Sequence, residues 1–178
     1  LLPTSDLLPN LTNEHQMGFE NRLVYAIYTV RQLKSEGKGM LGAAAKAEIE
    51  ERAQELARYI TFADEAKFPA KGIVGDPAYV QDFLRDRKVS KAGLSLKDLD
   101  LKTRMFKHRC SYMLYTDTWK AAPKELKERV YYHMALYLRE QPDAQVHERP
   151  PVHDGEDAAV LDADLADRRG RFQIRIGH

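Results

Sequence analysis

Apolar side chains recur along most of this chain at three- and four-residue steps, and strand-like alternation is nearly absent, so the pattern predicts helices. A first helix is expected from about Thr12 to Lys34. Thr12 or Asn13 can cap it through a short side-chain oxygen, and Phe19, Leu23, Ala26, Ile27, Val30 and Leu33 form one apolar stripe. Gly37 and Gly39 end it, because glycine adopts the left-handed conformation common at helix C-termini. A second helix, about Ala43 to Ala63, carries Ile49, Ala53, Leu56 and Ile60 on one side and dense charge on the other. Asp76-Pro77 opens a short third helix to about Arg87, with aspartate as N-cap and proline at the first helical position. Its buried face is Val80, Phe83 and Leu84. Ser95 with Asp98 resembles a capping box and predicts a fourth helix from about Leu96 to Thr116, with Leu99, Thr103, Phe106, Cys110 and Met113 as its stripe. Pro123 starts a fifth helix to about Glu140, carrying Leu126, Val130, Met134, Tyr137 and Leu138.

The ends have a different character. Residues 1–11 hold two prolines and five leucines without periodicity, which predicts an extended arm lying on apolar surface. Residues 142–178 are rich in proline and in clustered charge, and form a mostly irregular extension. A short helix from Glu156 to Arg168 and an edge strand in the Phe172–Ile176 stretch are expected within it. The reading is therefore an all-α fold: a bundle of four main amphipathic helices plus one short helix over residues 12–141, flanked by the arm and the extension.

Composition narrows the function classes. A chain of 178 residues buries enough surface to need no staple. Its net charge is +1, from 28 basic and 27 acidic residues, and a nucleic-acid binder should show a strong basic excess. No apolar run approaches the ~18 residues that would span a bilayer, so no transmembrane segment is expected, and peripheral association with a membrane through a partner is left open. Cys110 is the lone cysteine, which removes intramolecular disulfides and cysteine-based zinc or haem attachment. The start Leu-Leu-Pro, without methionine, fits a cleaved export signal, a trimmed start or undescribed leading residues.

Candidate chemistry gathers in residues 106–119, FKHRCSYMLYTDTW. Cys110 falls on the apolar stripe, where a thiol behaves as a small hydrophobe, and His108, two residues away on a helix, faces elsewhere. Arg104, His108 and Tyr112 share one helical face. With Tyr115 and His133 they are the expected lining of a ligand pocket between helices one, four and five, for a flat cofactor such as haem, a metal or another small ligand. Trp119 either plugs the end of the bundle or anchors an interface, and Leu7, Leu8, Phe172 and Ile174 are the other expected interface residues. Asp64 and Glu65, adjacent carboxylates against a helix C-terminus, call for compensation by a salt bridge or a cation. His147 and His153 are irregularly spaced metal candidates. No Glu-x-x-His pair occurs, so the di-iron bundle pattern is missing. His15, Glu20, Asn21 and Arg22 begin the first helix, and Glu20 and Asn21 lie among its apolar residues, where a polar side chain can bond across to the fourth.

Asp100, Leu101, Arg104, Phe106, Cys110, Ser111, Tyr112, Tyr115 and Pro123, within Leu99–Val130, form a pattern that resembles the C-terminal part of bacterial envelope or exported proteins with no assigned activity. Phe62-Ala63-Asp64-Glu65-Ala66 matches a second segment of that group, while Thr116 and Trp119 depart from it, where serine and phenylalanine are expected. The resemblance covers at most about half the chain. It implies a bacterial, periplasmic or exported setting, with the cytoplasm left open, and no activity.

Three functional readings follow. The first is a non-catalytic accessory or structural subunit that docks on a larger protein assembly through arm and extension. The second is the ligand-, haem- or metal-binding bundle. The third is an enzyme using Asp64, Glu65, His108 or Arg104 as acid–base groups.

Overall fold

The computed structural model describes residues 7–139. Residues 1–6 and the extension, with its expected helix and strand and with Phe172, Ile174, His147 and His153, lie outside them. The described chain is helical: α1 (Leu7–Glu36), α2 (Ala43–Ile60), α3 (Pro77–Leu84), a 3-10 turn (Tyr112–Tyr115), α4 (Asp117–Lys120) and α5 (Lys124–Arg139).

α1 begins five residues before the expected start, so Leu7–Leu11 are helix rather than arm. Pro9 is tolerated because the N–H it lacks would have no partner in a first helical turn. Thr12 is no cap: its hydroxyl donates to the Leu8 and Pro9 carbonyls, a bond made from inside the helix. Leu8 is buried in the core of its own chain, which overturns its role as an interface residue, whereas Leu7 is exposed. The left-handed Gly39 (φ 90°) follows the end of α1 as expected.

α1 runs antiparallel to α2, bringing Tyr59 beside His15 and Arg22 beside Glu55. A side chain on Gly18 would strike the Tyr59 hydroxyl at 2.1 Å, so this glycine leaves room for the Tyr59 ring to lie on α1. α5 lies parallel to α2, since Glu50 meets Arg129 and His133 while Arg58 lies over Tyr137. Parallel neighbours cannot be joined by a tight turn, so residues 61–123 travel back along the whole bundle. Phe19, Leu23, Val30, Leu56, Leu126 and Met134 are fully enclosed at the centre.

The expected fourth helix is absent. Residues 96–111 instead form a hairpin-like turn with one antiparallel bridge, Leu99 to Phe106, and then enter the 3-10 turn. Three causes are visible. The Asp100 carboxylate accepts from the Thr103 N–H and hydroxyl, turning the chain through its side chain. Leu101, at φ 60°, leaves helical space. The backbone N–H of Phe68 and of Ile73 donate to the Thr103 and Leu101 carbonyls, so the turn, closed on itself by Asp100–Met105, Leu101–Arg104 and Lys107–Asp98 backbone bonds, is also paired with the preceding loop. The Ser95–Asp98 contact does form, with the Ser95 N–H bound to Asp98 at 3.0 Å, yet it closes a turn. α2 stops at Ile60, three residues early. Phe62 (φ 53°) takes the left-handed position, and the Ala63 N–H returns to the Arg58 carbonyl in a Schellman arrangement.

Trp119 is buried between Phe19 and Tyr131, with its indole N–H donating to the Tyr131 hydroxyl at 3.0 Å. It plugs the bundle, and its role as an interface anchor is withdrawn.

Candidate functional site

The crossover segment is pinned to α1 by a buried polar–aromatic cluster. His15 Nε2 lies 2.7 Å from Ser111 Oγ, and Gln16 donates to the Tyr112 hydroxyl at 2.9 Å. Ser111 Oγ caps the 3-10 turn by accepting the Met113 N–H, which leaves its own hydrogen free for His15. Rings surround the imidazole: Tyr59 stacks on it at 5.4 Å, with Phe62, Phe106 and Tyr112 at 5.0, 5.8 and 5.8 Å. Burial lowers His15 to about 4 and raises Tyr112 to about 12, so both are neutral at ordinary pH. Although the Ser–His distance suits a nucleophile and base, Ser111 is fully enclosed and already engaged with backbone. The pair therefore holds two segments together.

Two clefts open beside this cluster. One, of about 430 Å³, lies over the 3-10 turn and is lined by Gln16, Lys88, Lys97, Tyr112 and Tyr115 among others. The other, of about 810 Å³, runs between α1 and the end of α2, over Leu11, His15, Tyr59, Phe62, Phe68 and Met105.

Of the five residues expected to line one pocket, only Tyr112 and Tyr115 share a cleft. His133 is buried at the α2–α5 contact, 2.6 Å from Glu50, whose other oxygen meets Arg129 at 3.2 Å. His108 is half-buried in the turn, 3.9 Å from Asp98, whose carboxylate is already bound by Arg87 and the Ser95 N–H. Burial lowers the His108 pKa against the pull of Asp98. Arg104 acts on Glu65 instead. The shared helical face of Arg104, His108 and Tyr112 disappears with the helix.

Asp64 and Glu65 diverge. Asp64 closes back onto Arg58, with a 3.0 Å bond from Arg58 Nε, while Glu65 accepts the Met105 N–H at 3.0 Å. Burial raises the Glu65 pKa, opposed by the Met105 N–H and by Arg104 and Arg109. Both carboxylates are thus used structurally, and among the described residues no three His, Cys, Asp or Glu side chains converge as a metal would require. Asp64, Glu65, His108 and Arg104 are not assembled around one reacting centre.

Cys110 is buried and its thiol is pushed up to about 12. Because the thiolate is the reactive form, iodoacetamide at pH 7.5 is expected to label Cys110 in the folded protein far more slowly than in guanidinium. Equal rates in the two conditions would overturn its placement in the core.

Three features escaped the sequence reading. His15 occupies the α1 stripe one step before Phe19, a spacing that marks it as buried. Glu50 carried no signal beyond being a carboxylate on a charged face. The third is the outer face of α1. Met17, Asn21, Val24 and Tyr28 lie along one line opposite the core, are all exposed, and carry no charge over about three helical turns, with exposed Glu14 and Arg31 continuing the line at either end. Met17, Val24 and Tyr28 are 56%, 39% and 64% exposed. No helix of the described residues is long and apolar enough to cross a membrane. No protein-family profile, curated protein or solved structure matches the chain.

Proposed function

We propose that this chain is a non-catalytic accessory subunit that docks on a larger protein assembly, with the outer face of α1 as one docking surface. The observation that carries this is the uncharged apolar line Met17–Val24–Tyr28 on a chain with 31% charged residues. Exposed apolar stripes rimmed by polar residues mark protein contacts, and here Asn21 lies within the line while exposed Glu14 and Arg31 rim its two ends. Such a face fits an apolar helix or groove whose charges lie at the rim, opposite Glu14 and Arg31. The terminal segments 1–6 and 142–178 would add to the contact, and the bacterial envelope setting rests on the resemblance of Leu99–Val130 alone.

A photo-crosslinking residue placed at Tyr28 in cells of the native source tests this. The expected result is a discrete crosslinked species that a crosslinker at exposed Gln54 on α2 does not give and that Val24→Lys abolishes. A surface lysine there should change stability by less than about 0.5 kcal/mol. A species formed equally from both positions, none from Tyr28, or one insensitive to Val24→Lys would overturn the docking role of this face.

A further inference from the structure

The cleft over the 3-10 turn has the chemistry of a small-molecule site that is independent of the docking face. Two lysines flank it. Lys97 Nζ lies 4.9 Å from the Phe83 ring and 5.5 Å from the Tyr112 ring, and donates to the Phe83 carbonyl at 3.1 Å. That bond uses one of its three donors. Lys88 Nζ sits 4.8 Å over the Tyr115 ring. Tyr112 and Tyr115 are three residues apart on a 3-10 turn, where side chains at that spacing eclipse, so both lysine–tyrosine pairs belong to one cleft. Among the described residues neither ammonium lies within ion-pair distance of a carboxylate, Lys88 acting only from farther off on Asp117, whereas Arg22, Lys34, Arg58 and Lys120 all meet carboxylates.

The surroundings restrict what these ammoniums can take. Gln16 is held by the Tyr112 hydroxyl and Thr116 by the Met113 carbonyl, which gives the cleft a fixed polar wall. Met113 and the Tyr115 ring supply an apolar one. Asp86 and Glu20 also line the cleft and balance the two lysines. A polyanion would be repelled by those carboxylates, so the two lysines suit a ligand with a single negative charge. A volume of about 430 Å³ suits a ligand built on one ring. We propose that this cleft binds a small aromatic monocarboxylate, its carboxylate between Lys88 and Lys97 and its ring against Tyr115 and Met113.

Amide NMR titration of the full chain with 4-hydroxybenzoate, benzamide and inorganic phosphate tests the assignment. The expected result is saturable shifts at Gln16, Lys97 and Tyr115 with 4-hydroxybenzoate, and none at Val24 or Tyr28. Benzamide and phosphate should each bind at least tenfold more weakly, and Lys88→Met should weaken 4-hydroxybenzoate about tenfold. Lys88 is exposed, so this variant keeps the fold. Benzamide binding equally would reduce the site to an apolar crevice. Phosphate binding equally would make it a simple anion site. Either result, an unaffected Lys88→Met variant, or no saturation by any probe overturns the proposal without touching the α1 docking face.

Discussion

Replacing Trp119 by alanine is expected to lower the unfolding free energy by about 3–5 kcal/mol, the range for deleting a buried large aromatic. The side chain is only 2% exposed, tilted against Phe19 at 6.4 Å and set edge-on to Tyr131 at 5.6 Å. It lies where the crossover from α2 rejoins the bundle, so its loss opens a cavity shared by α1, α4 and α5. Alanine also leaves the buried Tyr131 hydroxyl without its indole donor. Phenylalanine keeps one ring of the packing and loses the indole N–H together with the volume of the other ring, so it should cost less than alanine, about 1–3 kcal/mol. Tyr132, 54% exposed on α5 next to Tyr131, should tolerate alanine within about 0.5 kcal/mol. Urea denaturation of the three variants gives the ranking. A Trp119→Ala cost no larger than that of Tyr132→Ala would mean that Trp119 is not the plug, and would restore its reading as a surface anchor.

The helical class and its longer members were legible because tertiary packing and sequence periodicity agree there. α1, α2 and α5 bury the stripes their spacing displays, and Asp76 caps α3 with a 2.8 Å bond to the Tyr79 N–H. Residues 96–111 were misread because apolar residues at about 3.5-residue spacing suit a helix and a compact turn equally well. Leu99 and Phe106, a heptad apart, meet across a bridge instead of lying along one helix. What decided between the two was Asp100, whose short carboxylate competes for backbone N–H groups, and the pairing of the turn with residues 68 and 73. The burial of Cys110 survived this error, since apolar spacing marks what is inside whatever the backbone does. The ligand pocket did not survive, because it rested on helical phase: without the helix, His108 turns to Asp98 while Tyr112 turns to Gln16.

The buried imidazole of His15 should make this fold sensitive to mild acid. Burial depresses its pKa from the ordinary 6.5 to about 4. Below pH 6.5 the unfolded chain takes up a proton that the native protein refuses, so the unfolded state gains stability. The contribution is therefore complete above pH 6.5 and is lost progressively as pH falls toward 4. At 1.36 kcal/mol per pKa unit the full loss is about 3 kcal/mol. His108, also depressed by burial, acts in the same direction. Glu65, raised by burial, acts oppositely. Asp117 and Glu125, held low by Lys120 and Lys34, lose their contributions chiefly below this window. Tyr59 and Tyr112, which face the imidazole, stay neutral throughout. His15→Gln keeps a side chain able to bond Ser111 but cannot titrate, so it isolates the histidine. Urea midpoints between pH 7 and 4 should fall steeply for the native chain, and the His15→Gln chain should lose most of that slope whatever its stability at pH 7. Parallel slopes for the two chains would show that the imidazole takes its proton as readily folded as unfolded. The ring-lined, water-excluding seat between α1 and the 3-10 turn would then be wrong.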